Sequence, residues 1–521
     1  MDGPCSRIHD NDGEGYLAKP RRYSVLSGYI STSVRLAKSV LIDVSCALLP
    51  SFVLGRLRAS SSSRSPGHTR YTSALDGIRG LACIAVMNYH ILWVYQPRVH
   101  YGYALTQEDL AICIQKPEVV MRNDSFLQLP IIRLPFSATG SVSAFFIIAG
   151  FVLAYKPLAL SRQGRWQDVL STLASSTFRR GIRLYLPTVA ASSFSFITFC
   201  LGWWQYRDVI MSWDQISSTE LSEPTIARQR TLLLQILDWL QDLSMMINNW
   251  NWAQRYPRYN VHLWTISSEY RASMVVFLTL PVYVMIRKPF RMIIFLLIIF
   301  YAYIFHRWEV ALFLSGILLA DMSQARQVRS EERSEASHQP IFLGPRAPRP
   351  PIWRAILKHS ILGLLLTLAL YTLSAPDFCL DYTPGYRLLS RLRPQRFESE
   401  FHLFYPSFGA LLLVFLVSYN SPDWFLNRYI LNSSATQYFG RISFSLYVVH
   451  GPLLHIVGYR LFTLASSLAE RDSLLAYSAG LCIAYGIFFA LVVWTADVFW
   501  RVVDVRSVRF ARSLEQYVMY R

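Results

Sequence analysis

Charge is scarce in this chain. Only 16% of its 521 residues are Asp, Glu, Lys or Arg, against about a quarter in an ordinary soluble domain, and 53% are hydrophobic. That excludes a conventional soluble enzyme of this length. Cysteine is thin as well: seven scattered residues cannot build a disulfide framework. No CxxC, no HExxH and no spaced His/Cys cluster occurs, so no metal site is expected. A GxSxG elbow is missing, which weighs against a serine relay. Repeats at the level of whole hydrophobic segments are absent too, which weakens a transporter built from duplicated halves. The first apolar patch starts near Val40, too late for the core of a cleavable signal peptide.

What is present is a succession of long apolar runs. They predict an all-α, polytopic membrane protein with about ten transmembrane helices, near 74–96, 138–156, 184–204, 262–286, 290–306, 308–322, 355–375, 402–420, 441–465 and 474–500. The patch "SVLIDVSCALLPSFVL" is short and holds Asp43 and Pro50. Flanked by Arg35, Lys38, Arg56 and Arg58, it reads as an interfacial helix over about 39–55, with a further span as the alternative.

The net charge of +18 could signal nucleic acid, but in a membrane chain it reads better as positive-inside bias. The loops bear this out. Residues 156–183 carry Lys156, Arg162, Arg165, Arg179, Arg180 and Arg183 against Asp168 alone, whereas the 97–137 loop balances four bases with four acids. Basic and balanced loops alternate, which places both termini in the cytoplasm. The expected organisation is therefore a cytoplasmic tail over 1–70, a transmembrane domain over 72–505, a flexible cytoplasmic loop over 321–354 and a cytoplasmic tail over 506–521. The sequon at Asn123 falls in the first external loop, where a glycan could be attached; the one at Asn432 falls on the cytoplasmic side. Cys113 and Cys379 both fall in external loops, and whether they are bridged stays open.

Four stretches hold ionisable groups at membrane depth. In "LDGIRGLACIAVMNYH" (75–90), Arg79 and His90 are eleven residues apart. That is about three helical turns, so both lie on one face roughly 16 Å apart along the axis. An ionisable group this deep usually faces a cavity or a partner. The plainer alternatives are a snorkelling arginine and a satisfied core histidine. In "FRRGIRLYLP" (178–187), Arg180 and Arg183 share a helix face and could grip phosphate, or could simply be positive-inside charge. In "HLWTISSEYR" (262–271), Glu269 needs a partner, for which His90 and Arg79 are candidates; a structural ion pair is the alternative. In "ISFSLYVVHGPLL" (442–454), Tyr447 and His450 are three apart, and Pro452 would bend the helix or mark an opening in it. Interfacial anchoring of the aromatic ring is the alternative there.

Taken together, and in this order, these segments resemble the acyltransferase family 3 of integral-membrane acyltransferases. Arg79 and His90 match its Arg-x10-His pattern. "GSVSAFFIIAGFVLAYK" (140–156) is similar to its second-span segment, with Ala149 in place of serine. Arg180, Arg183 and Pro187 match its Arg-x-x-Arg-x-x-x-Pro loop. "LWTISSEY" is similar to its Trp-x-Leu-x-x-Glu signature, with Ile266 in place of leucine, and "SFSLYVVHGPLL" to its Ser-x-Tyr-x-x-His-x-Pro segment. The resemblance covers about 72–505, and the long tail and loops are similar to fungal members.

The resemblance implies transfer of an acyl group, commonly acetyl from acetyl-CoA, to a hydroxyl of a carbohydrate, lipid or secondary metabolite. His90 would be the general base and Glu269 its orienting carboxylate. Arg79, Arg180, Arg183, Trp264, Tyr447 and His450 would bind substrate. Acyl-CoA is then a donor substrate rather than a resident cofactor. The expected partners are acyl-CoA, the hydroxyl-bearing acceptor and the bilayer, with no nucleic acid, at the endoplasmic reticulum or plasma membrane. A proton-coupled transporter is the alternative for intramembrane His, Glu and Arg. Membrane acyltransferases of the other large class are disfavoured by the Arg-x10-His start.

Overall fold

The structure is a computed structural model, describing residues 48–51, 53, 72–114, 123–204, 226–338, 351–394, 401–468 and 474–519. Among these residues it is all-α. The principal helices are α1 (Ser73–Tyr95), α2 (Ala138–Arg162), α3 (Trp166–Cys200), α4 (Trp264–Met285), α5 (Lys288–Ile304), α6 (Trp308–His338), α7 (Ile352–Leu373), α8 (Phe401–Tyr419), α9 (Ser434–Leu453), α10 (Leu474–Phe499) and α11 (Val505–Val518). Tyr101 and Phe378 form an isolated β-bridge.

Each of the ten expected segments falls on one of α1–α10. Among the described residues, six helices are long and apolar enough to cross a membrane: α1, α2, α3, α7, the α9 region and the α10 region. Large apolar side chains such as Phe290, Leu297 and Phe300 on α5, or Ile356 and Leu364 on α7, point outwards, as lipid-facing helices require.

Two expectations about loops change. The stretch from 321 is helical as far as His338, because α6 continues without a break; residues 339–350 lie outside the described residues. The expected C-terminal tail is the amphipathic helix α11, reached from α10 through a π-helical turn at Trp500–Asp504. The interfacial helix expected over 39–55, like most of the 1–70 tail, lies largely outside the described residues. Its visible stub is tied to α10: Ser51 N donates to Asp497 Oδ1 at 3.1 Å, and Trp494 Nε1 to the Leu48 carbonyl at 2.7 Å.

The first and ninth expected segments run side by side. Helices α1 and α9 are parallel, and they touch because Gly80 faces Gly440; a Cβ on either would run into the opposite backbone. On the other flank, one buried carboxylate joins four helices. Asp321 on α6 accepts from Arg162 of α2, from Arg291 of α5 at 2.6 Å and from the Tyr283 hydroxyl of α4 at 2.8 Å. A lone carboxylate at that depth would be costly; two guanidiniums and a hydroxyl satisfy it.

At the end of the bundle where α1 finishes, residues 97–114, 123–137 and 374–394 form a cap. Cys113 and Cys379, 266 residues apart, are disulfide-bonded. Beneath the bridge, Asp377 Oδ1 accepts from Thr139 at 2.8 Å, while its Oδ2 lies 3.5 Å from Arg133 Nη2 and 3.7 Å from His100 Nδ1. Burial alone would raise the Asp377 carboxyl. His100, Arg133 and Thr139 outweigh it and hold the group below the usual carboxylate range. Burial lowers His100, partly opposed by Asp377. Asn123 belongs to this cap and is buried, its side-chain carbonyl accepting from Gln128 at 3.0 Å. The expected glycan site is therefore corrected, since an enclosed amide leaves no room for a sugar.

Candidate active site

A cavity of about 560 Å³ opens at the end of the bundle opposite the cap. That is ample for a small-molecule site. Its mouth is basic. Arg79 from α1, Arg180 and Arg183 from α3, Arg441 from α9, and Arg509 and Arg512 from α11 line it, opposed by Asp76, Glu269 and Asp504. Arg180 and Arg183 come from "FRRGIRLYLP" on one face of α3, as their spacing requires. Arg79 pairs with Asp76 one turn away at 3.3 Å.

The partner of Glu269 is Arg180, whose Nη2 donates at 2.6 Å; the same guanidinium donates to Ser273 Oγ at 2.9 Å. Glu269 and Ser273 are one turn apart on α4, so that face of α4 holds the α3 arginine from two points. This corrects the expectation that Glu269 orients His90. The carboxylate sits one helical turn nearer the basic mouth than Thr265, and its hydrogen bond is spent on the guanidinium.

The deep end of the cavity is closed by hydroxyls. Tyr447 and Thr265 both line it, their oxygens 2.7 Å apart, and the Tyr447 hydroxyl also donates to the backbone carbonyl of His262. Behind that pair lie three imidazoles. The His90 and His262 ring centroids are 3.9 Å apart, His262 and His450 4.7 Å, and His90 and His450 5.5 Å. His262 and His450 are each 1% exposed and His90 is half-buried.

Three elements place these rings. His90 stands on α1, one turn and a half before its end. His262 sits in the short 3-10 turn that leads into α4. Its ring lies against Gly451 of α9, where a Cβ would collide with it. His450 Nδ1 lies 3.2 Å from the Leu446 carbonyl, so that nitrogen carries the hydrogen and Nε2 carries the lone pair. Pro452 is accommodated within α9, and a π-helical turn follows at Leu454–Gly458, where the sequence suggested a bend or an opening.

The expected single stripe is therefore divided. Arg79 lines the cavity, whereas His90 stands past the Tyr447–Thr265 pair, outside the cavity wall. The two remain at opposite ends of one helix face, but two hydroxyl side chains from α9 and α4 come between them. Trp264 is displaced from the expected substrate site as well. It packs edge-on to Trp308 at 6.3 Å and against Tyr256 at 5.8 Å, away from the cavity. Tyr447 lines the cavity, and His450 joins the histidine group.

Sequence reasoning missed His262, Arg441, Arg509 and Arg512. His262 opens the quoted "HLWTISSEYR" stretch, yet nothing in its spacing links it to partners 172 and 188 positions away. The arginines of α11 fall in the expected cytoplasmic tail over 506–521, although their three-residue spacing is that of one helical face.

Three imidazoles could also hold a metal ion, contrary to the metal-free expectation. Their ring nitrogens lie within 4.8 Å of one another, compared with the ~3.3 Å between nitrogens sharing a tetrahedral zinc. The group has the ligand types and number for a metal, in an arrangement looser than a closed site.

Residues 72–496 match the acyltransferase domain model of acyltransferase family 3. The chain is 29% identical over 489 residues to O-acetyltransferase PaAT-1 of Phomopsis amygdali, covering 89% of each protein. It is 25% identical over 472 residues to Acyltransferase R4 of a Phoma species, covering 85% of this chain and 94% of that one. A similar match, 25% over 465 residues, is to Acyltransferase clz18 of Cochliobolus lunatus. No solved structure matches the chain significantly. With the family match spanning most of its length, including both the basic mouth on α1 and α3 and all three histidines, the chain belongs to acyltransferase family 3 and is an acyl-transferring enzyme.

Proposed function

We propose that the protein transfers an acyl group, acetyl in preference, from acyl-CoA to a hydroxyl of a lipid, glycan or secondary metabolite. The observation that carries this reading is the cavity's polarity: guanidiniums crowd one end, and hydroxyls backed by imidazoles stand at the other. A CoA thioester has the same polarity, with phosphates at one end and a neutral reactive carbonyl at the other. Arg79, Arg180 and Arg183 hold the phosphates in fork geometry. The pantetheine arm runs inwards to Tyr447 and Thr265. The pair stands between the thioester and the imidazoles, so the acceptor hydroxyl enters from the histidine side, loses its proton to His90 and, with the pair parted, attacks the thioester carbonyl; the CoA thiolate leaves and takes up a proton, giving ester and free thiol. His262 and His450 pack against the His90 ring and fix where it stands. Acetyl is favoured because the Phomopsis amygdali relative is an O-acetyltransferase.

The cap supports the orientation. Disulfides persist in oxidising compartments, so the Cys113–Cys379 bridge favours a luminal or external cap. Helix α1 is 23 residues long, about 35 Å, enough to span a bilayer. The basic mouth then faces the cytosol, in keeping with ten spans and both termini cytoplasmic. The family places the chain with enzymes rather than with proton-coupled carriers.

The test is incubation of purified full-length protein with acetyl-CoA labelled in the acetyl group and a panel of alcohols, following free thiol and labelled ester. Wild type releases thiol and His90→Ala does not. Absence of thiol release by the wild type across the panel would refute the reading.

A further inference from the structure

We infer that α11 is a wall of the donor site, and that Arg509 and Arg512 bind the 3′-phosphate of the CoA donor. This rests on the donor assignment above and goes beyond it, because α11 lies outside the 72–496 region that the family model describes.

The cavity-lining residues of α11 are Val505, Val508, Arg509 and Arg512. Their spacing of three, four and seven residues is one helical face. That face is anchored. Glu515 of α11 pairs with Arg179 of α3 at 3.0 Å, and Ser507 and Ala511 are buried. Arg179 directly precedes Arg180, so the ion pair fixes α11 beside the α3 arginines already assigned to phosphate.

Charge bookkeeping at the mouth leaves an anion wanting. Six guanidiniums face three carboxylates, and two of those carboxylates are committed, Asp76 to Arg79 and Glu269 to Arg180. Among the described residues, Arg183, Arg441, Arg509 and Arg512 have no carboxylate within ion-pair distance. Arg441 instead lies over the Trp500 ring at 5.8 Å. Uncompensated cations converging on a concave opening create a field suited to a polyanion. A cytoplasmic positive-inside role requires charge only near the surface; it does not require guanidiniums turned into a cavity.

Donor geometry assigns the phosphates. The thioester must travel inwards, so the adenosine 3′,5′-diphosphate end stays outermost. Arg509 and Arg512 are exposed at the rim, whereas Arg180 is buried deeper. The rim pair therefore meets the terminal 3′-phosphate, and the deeper pair meets the diphosphate bridge.

The experiment compares acetyl-CoA with acetyl-3′-dephospho-CoA as ligands of full-length protein in detergent, by equilibrium binding of labelled donor and by thiol release. Wild type is expected to prefer acetyl-CoA by about ten- to a hundredfold. In Arg509→Ala/Arg512→Ala, that preference should collapse towards unity through a raised KM for acetyl-CoA, while KM for the dephospho donor and kcat stay near wild type. Arg509→Lys/Arg512→Lys should retain part of the preference, and Arg506→Ala, off the cavity face, all of it. An intact preference in the double-alanine variant, or equal loss on both donors, would overturn the assignment. Repeating the comparison in nanodiscs with and without phosphatidylserine separates the lipid alternative: a defect confined to anionic bilayers would reassign the two arginines to headgroups. If wild type binds neither donor, the donor assignment falls and this inference falls with it; if wild type binds both donors equally, only this inference falls.

Discussion

Arg180 and Glu269 form a 2.6 Å ion pair between α3 and α4, inside the basic mouth and away from the histidines. Their side chains are 10% and 27% exposed, so neither is fully solvated, and removing one charge leaves the other short of a partner. Glu269→Gln should lower stability by about 1–3 kcal/mol, between the ranges for surface and buried pairs because water still reaches the carboxylate. The double variant Glu269→Gln/Arg180→Met should recover part of that loss in thermal unfolding. The pH–rate profile of Glu269→Gln should keep the acid limb of the wild type. A shifted limb would restore this carboxylate as the orienting partner of the base.

The three-imidazole group separates a base from a bystander. His90→Ala should lower acyl transfer by about 10²–10⁴-fold with expression and donor binding intact. Donor binding measured by labelled acetyl-CoA, with transfer measured beside it, distinguishes a missing base from a misfolded chain.

Gly451 offers an indirect handle on the same rings. A methyl group there meets the His262 imidazole, which must shift from its place against His90 and His450. Gly451→Ala should cost about tenfold or more in kcat, since small displacements of catalytic groups are expensive, while KM for the donor is unchanged. Retained turnover would show that His262 need not sit where it does.

Proton transfer by imidazole needs no metal, so prolonged chelation should leave turnover unchanged, and elemental analysis of the purified protein should show no stoichiometric zinc. Activity lost to chelator and restored by zinc would recast His90, His262 and His450 as ligands.

The cap should weaken in acid. Folded His100 resists protonation relative to the unfolded chain, so stability declines as pH drops below about 6.5. Asp377, held below the usual carboxylate range, adds stability that is present above about 3.9 and lost as pH falls further. Both groups act in the same direction. Limited proteolysis of the cap at pH 7, 5 and 3.5 should show progressive opening, and Asp377→Asn should make the cap labile already at neutral pH.

Helix content was legible from hydropathy alone, since ten apolar stretches of helical length leave few alternatives. Arg79, Arg180, Arg183 and Tyr447 were likewise found by an ionisable or hydroxyl group appearing where lipid-compatible sequence should have none. The misreadings share a cause. Glu269 was assigned to His90 because its depth along α4 relative to α1 was unknown; a one-turn difference, about 5.4 Å, decides which partner it reaches. Trp264 looked like a binding residue because its neighbours in sequence are, but its side of the helix faces Trp308. His262, Arg509 and Arg512 were passed over because their meaning lies in pairings across hundreds of residues, which periodicity within one helix cannot reveal. The α11 arginines were additionally masked by their position after the last span, where basic residues have a ready explanation.

The adjacency of α1 and α9 has a consequence for how this enzyme comes into being. The imidazole on α1 acquires its His450 neighbour, and the cavity its Tyr447 wall, only when a segment some 350 positions later has been synthesised and inserted. A nascent chain is therefore chemically silent until translation is nearly finished. Any product cut short before α9 carries His90 and the mouth arginines of α1 and α3, yet lacks both the Tyr447 wall and the His450 neighbour.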